Sequence, residues 1–303
     1  MSTVSERFLA IVNPAAGGKR CGKLAPAALE ELQTQGVEIE VRNTAVPGDA
    51  TRIAREYYRR GWRNFIAVGG DGTSYEIVNG LFPEALSGDK PSLGFLPLGT
   101  GNSFLKDFTV NGASAAADAI VKRARRSCDV MRLTHASGEL YYINLLTLGF
   151  AADVTAAANK RFKAFGEGGY VLGVLQCLAR LDRRAFPHRL DSAAEMDNRR
   201  CLFLAFNNSR FTGGKMMIAP KAVADDGLLE YVRWGPIGRI GLLRNLPTLF
   251  DGTHIKHPLA SRAAVRRVDF ELDGPVNVMV DGECCELDCR TIEVLPGALD
   301  IFA

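Results

Sequence analysis

A chain of 303 residues, 47% hydrophobic and 23% charged, has room for one large or two modest globular domains. Its net charge of +3 is too small to argue for a nucleic-acid partner, and the basic clusters Lys122-Arg123-Ala124-Arg125-Arg126, Arg183-Arg184 and Arg266-Arg267 read as solvated faces. No apolar run reaches membrane-span length, no secretory signal precedes the first strand, and seven cysteines read as free thiols, so a cytoplasmic chain without a transmembrane segment is expected.

The first 125 residues alternate apolar strands with helical patterns. Strands are predicted over 8–12, 37–41, 64–68 and 93–96, and helices over 24–35, 48–60 and 74–79. This rhythm implies an α/β domain, a Rossmann-like parallel sheet covered on both faces. Past residue 127 the texture changes to strands over 130–133, 140–146, 201–206, 228–234, 265–272, 276–280 and 291–294. Helices are predicted around 170–181 and 240–250. Runs of strands after a βα block indicate a second, antiparallel, β-sandwich-like domain. The expected domains are 1–127 and 128–295, with 296–303 returning to the first.

Three Gly-rich turns follow predicted strands: Asn13-Pro14-Ala15-Ala16-Gly17-Gly18, Gly69-Gly70-Asp71-Gly72-Thr73 and Pro97-Leu98-Gly99-Thr100-Gly101-Asn102. Ligands in parallel sheets bind beyond the carboxyl ends of the strands, so the turns can converge on one crevice. Glycines allow close backbone approach, and a strand–turn–helix start directs backbone N–H groups at an anion. The carboxylate of Asp71 would repel phosphate unless a cation or a proton intervenes. The segment therefore reads as a nucleotide phosphate site with a metal-linked or proton-linked aspartate; an ordinary strand-to-helix turn is the competing reading. No GxxxxGK[ST] sequence is present, so a P-loop is excluded. Near the C-terminus, Val280-Asp281-Gly282-Glu283 reads as a hairpin with a type I′ turn. Cys284, Cys285 and Cys289 lack a fourth metal ligand nearby and read as strand packing.

Together, in this order, the four elements resemble the diacylglycerol kinase catalytic family, which includes bacterial lipid kinases and sphingosine kinases. The resemblance runs from Asn13 to Pro296-Gly297-Ala298-Leu299. It implies an ATP-dependent kinase that phosphorylates a lipid hydroxyl, of diacylglycerol or a sphingoid-type lipid, with Mg²⁺. By resemblance, Asn13, Pro14, Ala15, Ala16, Gly17 and Thr44 touch the nucleotide, Gly69 to Thr73 hold its phosphates, and Thr100 supplies a hydroxyl. Glu283 matches the proton acceptor, and Asp71 matches a residue with either a metal-linked or a base role in relatives, read here as the organiser of Mg-ATP. Val223, Asp226 and Leu228 match a bound Mg²⁺, with a plain Asx turn as the rival reading. Asp153, facing the lipid headgroup or the nucleotide, and Asn102 are expected on the substrate side, and Lys163 on a phosphate or on the bare surface.

Departures from the family pattern are Tyr75 after Gly-Asp-Gly-Thr-x, Gly169 where an arginine is common, and Ser103–Asp107 with Phe108, expected to shape a lipid entrance. Residues 170–175 form a candidate acyl-chain wall or plain core. The expected partner is a lipid at a membrane surface, with peripheral association during turnover and a homodimer left open. An NAD kinase-like enzyme shares Gly-Gly-Asp-Gly-Thr and is the enzymatic alternative; a catalytically weak lipid- or nucleotide-binding regulator is the other.

Overall fold

The computed structural model describes residues 7–108, 112–161, 178, 180–213 and 215–303. Lys163, Gly169 and the 170–175 wall lie outside these, as does most of the helix predicted over 170–181. The chain divides into two compact units, residues 1–130 with 295–303, and residues 131–294.

The first unit is built on parallel strands β1 (Phe8–Val12), β2 (Ile39–Asn43), β3 (Asn64–Gly69) and β4 (Ser92–Pro97), in the order β2-β1-β3-β4. β1 and β3 are buried along their whole length, the near-continuous apolar pattern that a sheet covered on both faces demands. Helices α1 (Arg20–Thr34), α2 (Asp49–Arg59) and α3 (Asp71–Leu81) connect them, and α4 (Ala113–Val121) follows β4. α1 starts four residues before the prediction, because Arg20 and Cys21 N–H groups already bond back to the Gly17 and Ala16 carbonyls. The core gathers Phe8, Ala10, Val12, Leu29, Ile66, Val68, Leu96 and Phe302. Phe302 belongs to the final strand, and its ring packs 5.2 Å from that of Phe8. Asp300 and Ile301 pair in parallel with Ser92 and Leu93. Gly297 N–H donates to the buried Asp129 carboxylate at 2.7 Å.

The second unit is antiparallel. One sheet runs β13-β12-β9-β7-β15-β16, with β7 (Leu145–Gly149), β9 (Phe203–Asn207), β12 (Leu229–Trp234), β13 (Ala260–Val265), β15 (Val276–Val280) and β16 (Glu283–Leu287). A second group holds β8 (His188–Leu190), β14 (Arg267–Phe270) and the first half of β17 (Cys289–Phe302). The two layers pack through aromatic rings: Phe206 against Phe270 at 5.4 Å, and His188 Nε2 against the Tyr231 hydroxyl at 2.9 Å. Burial pushes the His188 pKa down, so the ring sits neutral between its two partners.

Sequence expectation and structure differ at several places here. The strand predicted over 140–146 is two strands, β6 (Gly138–Tyr142) and β7, broken at Ile143-Asn144. β13 was not foreseen. The helix predicted over 240–250 is α6 (Arg239–Asn245) and α7 (Thr248–Asp251), separated at Leu246-Pro247. The basic pairs are not simply solvated: Arg184 pairs with Asp153 at 2.6 Å, and Arg267 with Asp269 at 2.7 Å. The six cysteines among the described residues are free, and no acidic, His or Cys cluster there could hold a metal ion. No helix among them is long and apolar enough to cross a membrane.

Candidate active site

In the first unit the three Gly-rich turns meet at the carboxyl ends of β1, β3 and β4. Asn13 N–H donates to the Val68 carbonyl at 2.9 Å, and Thr44 N–H to the Val12 carbonyl at 2.8 Å, which sets both beside the ends of β1 and β3. Asn13 Oδ1 turns back to accept the Ala15 N–H at 3.1 Å. The second and third turns are laced together: Gly99 N–H donates to Gly69 O at 2.8 Å and Asp71 N–H to Gly101 O at 2.9 Å. The glycines are required by this proximity. A Cβ on Gly69 would lie 2.2 Å from Thr73 Oγ1, one on Gly70 2.7 Å from Gly101 O, and one on Gly99 2.7 Å from Gly70 N. Gly17, at φ +59°, brings the first turn within 3.0 Å (Cβ position) of Leu98 O.

Some of the donors that the sequence assigns to an anion are therefore taken up in joining the turns. Asp71 shows this most clearly. Its half-buried carboxylate accepts the Ser103 N–H through both oxygens, at 3.1 and 2.9 Å. Burial raises its pKa, and the backbone donors of Ser103 and Phe104 oppose that rise. Ser103 and Phe104 thus serve the aspartate. Ser103, Phe104 and Leu105 are buried, Phe104 packing 5.6 Å from Phe95, so the first half of the stretch read as a lipid entrance is core, while Lys106 is exposed and Asp107 and Phe108 are half-buried. The space beneath the turns is about 10 Å³, enough for a water molecule; a triphosphate would have to lie on the open face of the turns, where Thr100 and Gly18 are exposed. Asn102 points its amide at Gly99 O, 3.0 Å away, and so holds its own turn. A concavity of about 560 Å³ elsewhere in this unit is lined by Gly48, Thr51, Arg52, Arg55, Glu56 and Arg59 along the surface of α2. Its arginines are paired with Asp49, Glu56 and Glu84, which makes it a surface groove of one helix.

In the second unit Glu283 is the exposed first residue of β16, paired with Val280 across a two-residue turn. Asp281 at φ +48° and Gly282 at φ +93° give the type I′ geometry read from the sequence. The sequence reading missed what Asp281 does. Its buried carboxylate accepts the N–H groups of Ile143, Asn144 and Leu145 at 3.1, 3.1 and 2.9 Å, and its own N–H returns to Leu145 O at 2.9 Å. This clamp explains the break between β6 and β7 and fixes the turn that carries Glu283. Its partners lie 136–138 residues away, so local pattern gives no signal for it.

Asp153, near the start of α5 (Phe150–Arg161), accepts from Arg184 at 2.6 Å and from Asn277 Nδ2 at 2.9 Å. Its carboxylate is thus oriented by Asn277, which the sequence reading did not single out, and by Arg184, which it took for half of a solvated basic pair. Cys284 links it to the hairpin. The thiol lies 3.8 Å from Ala152 O, and its pKa is raised by burial first and then by the charges of Asp153 and Glu283. Asp153 and Glu283 therefore share one neighbourhood. Asp226 does not. It precedes β12, separated from β16 by β9, β7 and β15, and its Oδ1 accepts the Leu228 N–H at 2.9 Å in an Asx turn. Val223 is exposed beside it.

Residues 7–133 match the family model described as "Diacylglycerol kinase catalytic domain", and residues 144–303 match "YegS C-terminal NAD kinase beta sandwich-like domain". A protein of Mycobacterium tuberculosis named "Diacylglycerol kinase" is 31% identical over 98% of this chain and 94% of its own. A Pseudomonas aeruginosa protein named "Probable lipid kinase YegS-like" is 32% identical over 94% and 91%. Among solved structures, a diacylglycerol kinase from Bacillus anthracis superposes with a TM-score of 0.68 at 20% identity, covering 98% of this chain and 96% of that one, which speaks for the fold. Two domain models placed end to end, and relatives aligned across almost the whole length, converge with the laced Gly-rich turns on one conclusion: this chain is a kinase of the diacylglycerol kinase catalytic family.

Proposed function

We propose that this protein transfers the γ-phosphoryl group of ATP to the hydroxyl of a lipid, a diacylglycerol or a sphingoid-type lipid. The observation that carries the reading is the convergence of the three Gly-rich turns at the strand ends, in a chain aligned over 98% of its length with a diacylglycerol kinase. Phosphoryl transfer asks the protein chiefly for alignment and charge neutralisation. The open face of the turns would take a polyphosphate, with the exposed Thr100 hydroxyl available to an oxygen. The set Asn13, Pro14, Ala15, Ala16, Gly17 and Thr44 would border the nucleoside, and Gly69, Gly70, Gly72 and Thr73 the phosphates.

Mg²⁺, when bound with the nucleotide, neutralises phosphate charge. Asp71 suits it chemically, as an oxygen donor held in place by Ser103, and Asp226 with the Val223 and Leu228 carbonyls offers a second all-oxygen set. Glu283, exposed at the turn end, accepts the proton of the attacking lipid hydroxyl, and Asp153 bonds the polar head of the same lipid. A membrane surface is the natural place to meet such a substrate.

Purified protein incubated with labelled ATP, Mg²⁺ and a panel of lipids tests this. Label in the organic extract is expected. Label in a water-soluble dinucleotide would replace the reading with an NAD kinase, and no label with any acceptor would leave a binding protein.

A further inference from the structure

Ten large apolar side chains are well exposed among the described residues, and four of them fall within eleven residues: Ile240 (67%), Leu243 (55%), Leu246 (42%) and Phe250 (50%). Leu259 (42%) follows on the connection to β13, while Leu24, Val41, Val46, Leu86 and Val223 are scattered over separate elements. Single exposed apolar residues are ordinary, and a cluster is not.

The backbone explains how the cluster forms. Leu246 (φ −54°, ψ −41°) and Pro247 (φ −58°, ψ −32°) keep helical dihedrals, so α6 and α7 follow nearly one helical path. Spacing of three to four residues aligns Ile240, Leu243, Leu246 and Phe250 along one side. Leu242 and Leu249, seven apart, lie roughly 100° round the helix from the centre of that stripe and are buried on the cluster that contains Trp234 and Val232. The helical segment is therefore apolar over a broad arc, of which its own domain covers one edge. The charged residues on this segment and just after it are Arg239, Arg244 and Lys256 against Asp251, an excess of cations; Arg244 and Lys256 are exposed, and Arg239 Nε donates to the Leu178 carbonyl at 3.0 Å. Asp251 is turned to its own chain, accepting the Thr253 N–H at 2.9 Å and hydroxyl at 2.6 Å.

We propose that the α6–α7 face is a bilayer-docking surface that inserts Ile240, Leu243 and Phe250 among the acyl chains of an anionic membrane, with Arg244 and Lys256 at the headgroup phosphates. The proposal rests on the lipid-kinase reading for its biological sense, and on this surface alone for its physics. An apolar stripe flanked by long basic side chains is the composition that holds a helix in a membrane interface, since the apolar groups leave water and the cations meet anionic lipid.

The test is flotation of the full-length protein with vesicles of phosphatidylcholine, with and without phosphatidylglycerol. Wild type is expected to float with the mixed vesicles, and Ile240→Asp/Leu243→Asp/Phe250→Asp to lose about a hundredfold in partitioning. Arg244→Glu/Lys256→Glu should lose the preference for phosphatidylglycerol and keep residual binding. Turnover of a short-chain, water-dispersed diacylglycerol should be unchanged in both variants, which also verifies that they fold.

Equal flotation of wild type and the triple variant overturns the proposal. So does a wild-type dimer that the triple variant converts to monomer while vesicle binding persists, because the face would then belong to a second copy. A wild type that floats by this face but phosphorylates no lipid refutes the kinase reading and leaves the docking surface standing.

Discussion

The two units of this chain present their chemistry by different means. In the first, the candidate site is made of backbone: three turns drawn together until no Cβ fits between them, with one carboxylate tied to a neighbouring N–H. In the second, the site is made of side chains on a hairpin and a helix, each aimed by a buried or half-buried partner: Asp281 under Glu283, Arg184 and Asn277 on Asp153. Main-chain sites tolerate few residue types yet need little outside help. Side-chain sites accept ordinary residues and depend on contacts remote in sequence.

The largest test of this contrast removes residues 295–303. Leu299, Ile301 and Phe302 are fully buried in the first unit, worth about 2 kcal/mol each, against a total domain stability of about 5–15 kcal/mol. The first unit is expected to lose cooperative unfolding by calorimetry; a truncated protein with an unchanged first-unit transition would show that the return strand is dispensable.

Next, Asp71→Asn should lower kcat about a thousandfold, roughly 4 kcal/mol of barrier. Stability should not fall with it. Burial holds the Asp71 pKa above its ordinary 3.8, so the folded state keeps a proton that the unfolded chain gives up sooner. This group's contribution to stability therefore declines as pH rises from 3.8 through the raised value. At neutral pH the amide removes a charge that folding disfavours, and the melting temperature should hold or rise. Near-normal turnover would remove Asp71 from the mechanism.

Asp281→Ala should cost about 3 kcal/mol, because three buried N–H groups lose their acceptor together. Denaturant titration measures it, and a loss under about 1 kcal/mol would mean that the clamp is redundant. Glu283→Gln should reduce kcat by about a hundredfold or more with the ATP KM unchanged. If only the lipid KM moves, Glu283 binds and does not accept the proton. The smallest effect is Arg184→Ala. The ion pair with Asp153 is partly exposed, so stability should change by less than about 1 kcal/mol. The lipid KM should rise, since Asp153 loses the donor that orients it; an unchanged KM would detach Asp153 from the substrate.

How much was legible in the sequence follows the same division. β1 and β15 run over the residues that periodicity assigned, and β3 extends the predicted strand by one residue. The Gly-rich turns were visible because a turn is encoded by consecutive residues. Asp71's tie to Ser103 spans 32 residues and was not visible, nor was the use of Gly99 and Asp71 N–H groups to hold the turns together. Asp281 looked like a turn residue and is one; its second task depends on a partner segment some 137 residues earlier. Arg184 looked like half of a solvated basic pair until Asp153 was placed beside it. The split of the 140–146 strand has the same origin: all but Asn144 are apolar or aromatic residues that fit a strand, and a carboxylate from elsewhere breaks it.

The parallel pairing of Ser92 and Leu93 with Asp300 and Ile301 has a consequence for biosynthesis. A ribosome delivers the strands of the first unit early, yet the partner that completes their sheet emerges some two hundred residues afterwards. The amino-terminal unit must then wait, incompletely closed, while its neighbour is made, an inversion of the usual order in which domains mature as they appear. A stalled or prematurely ended message would leave that earlier unit, and not the later one, exposed to proteases and chaperones.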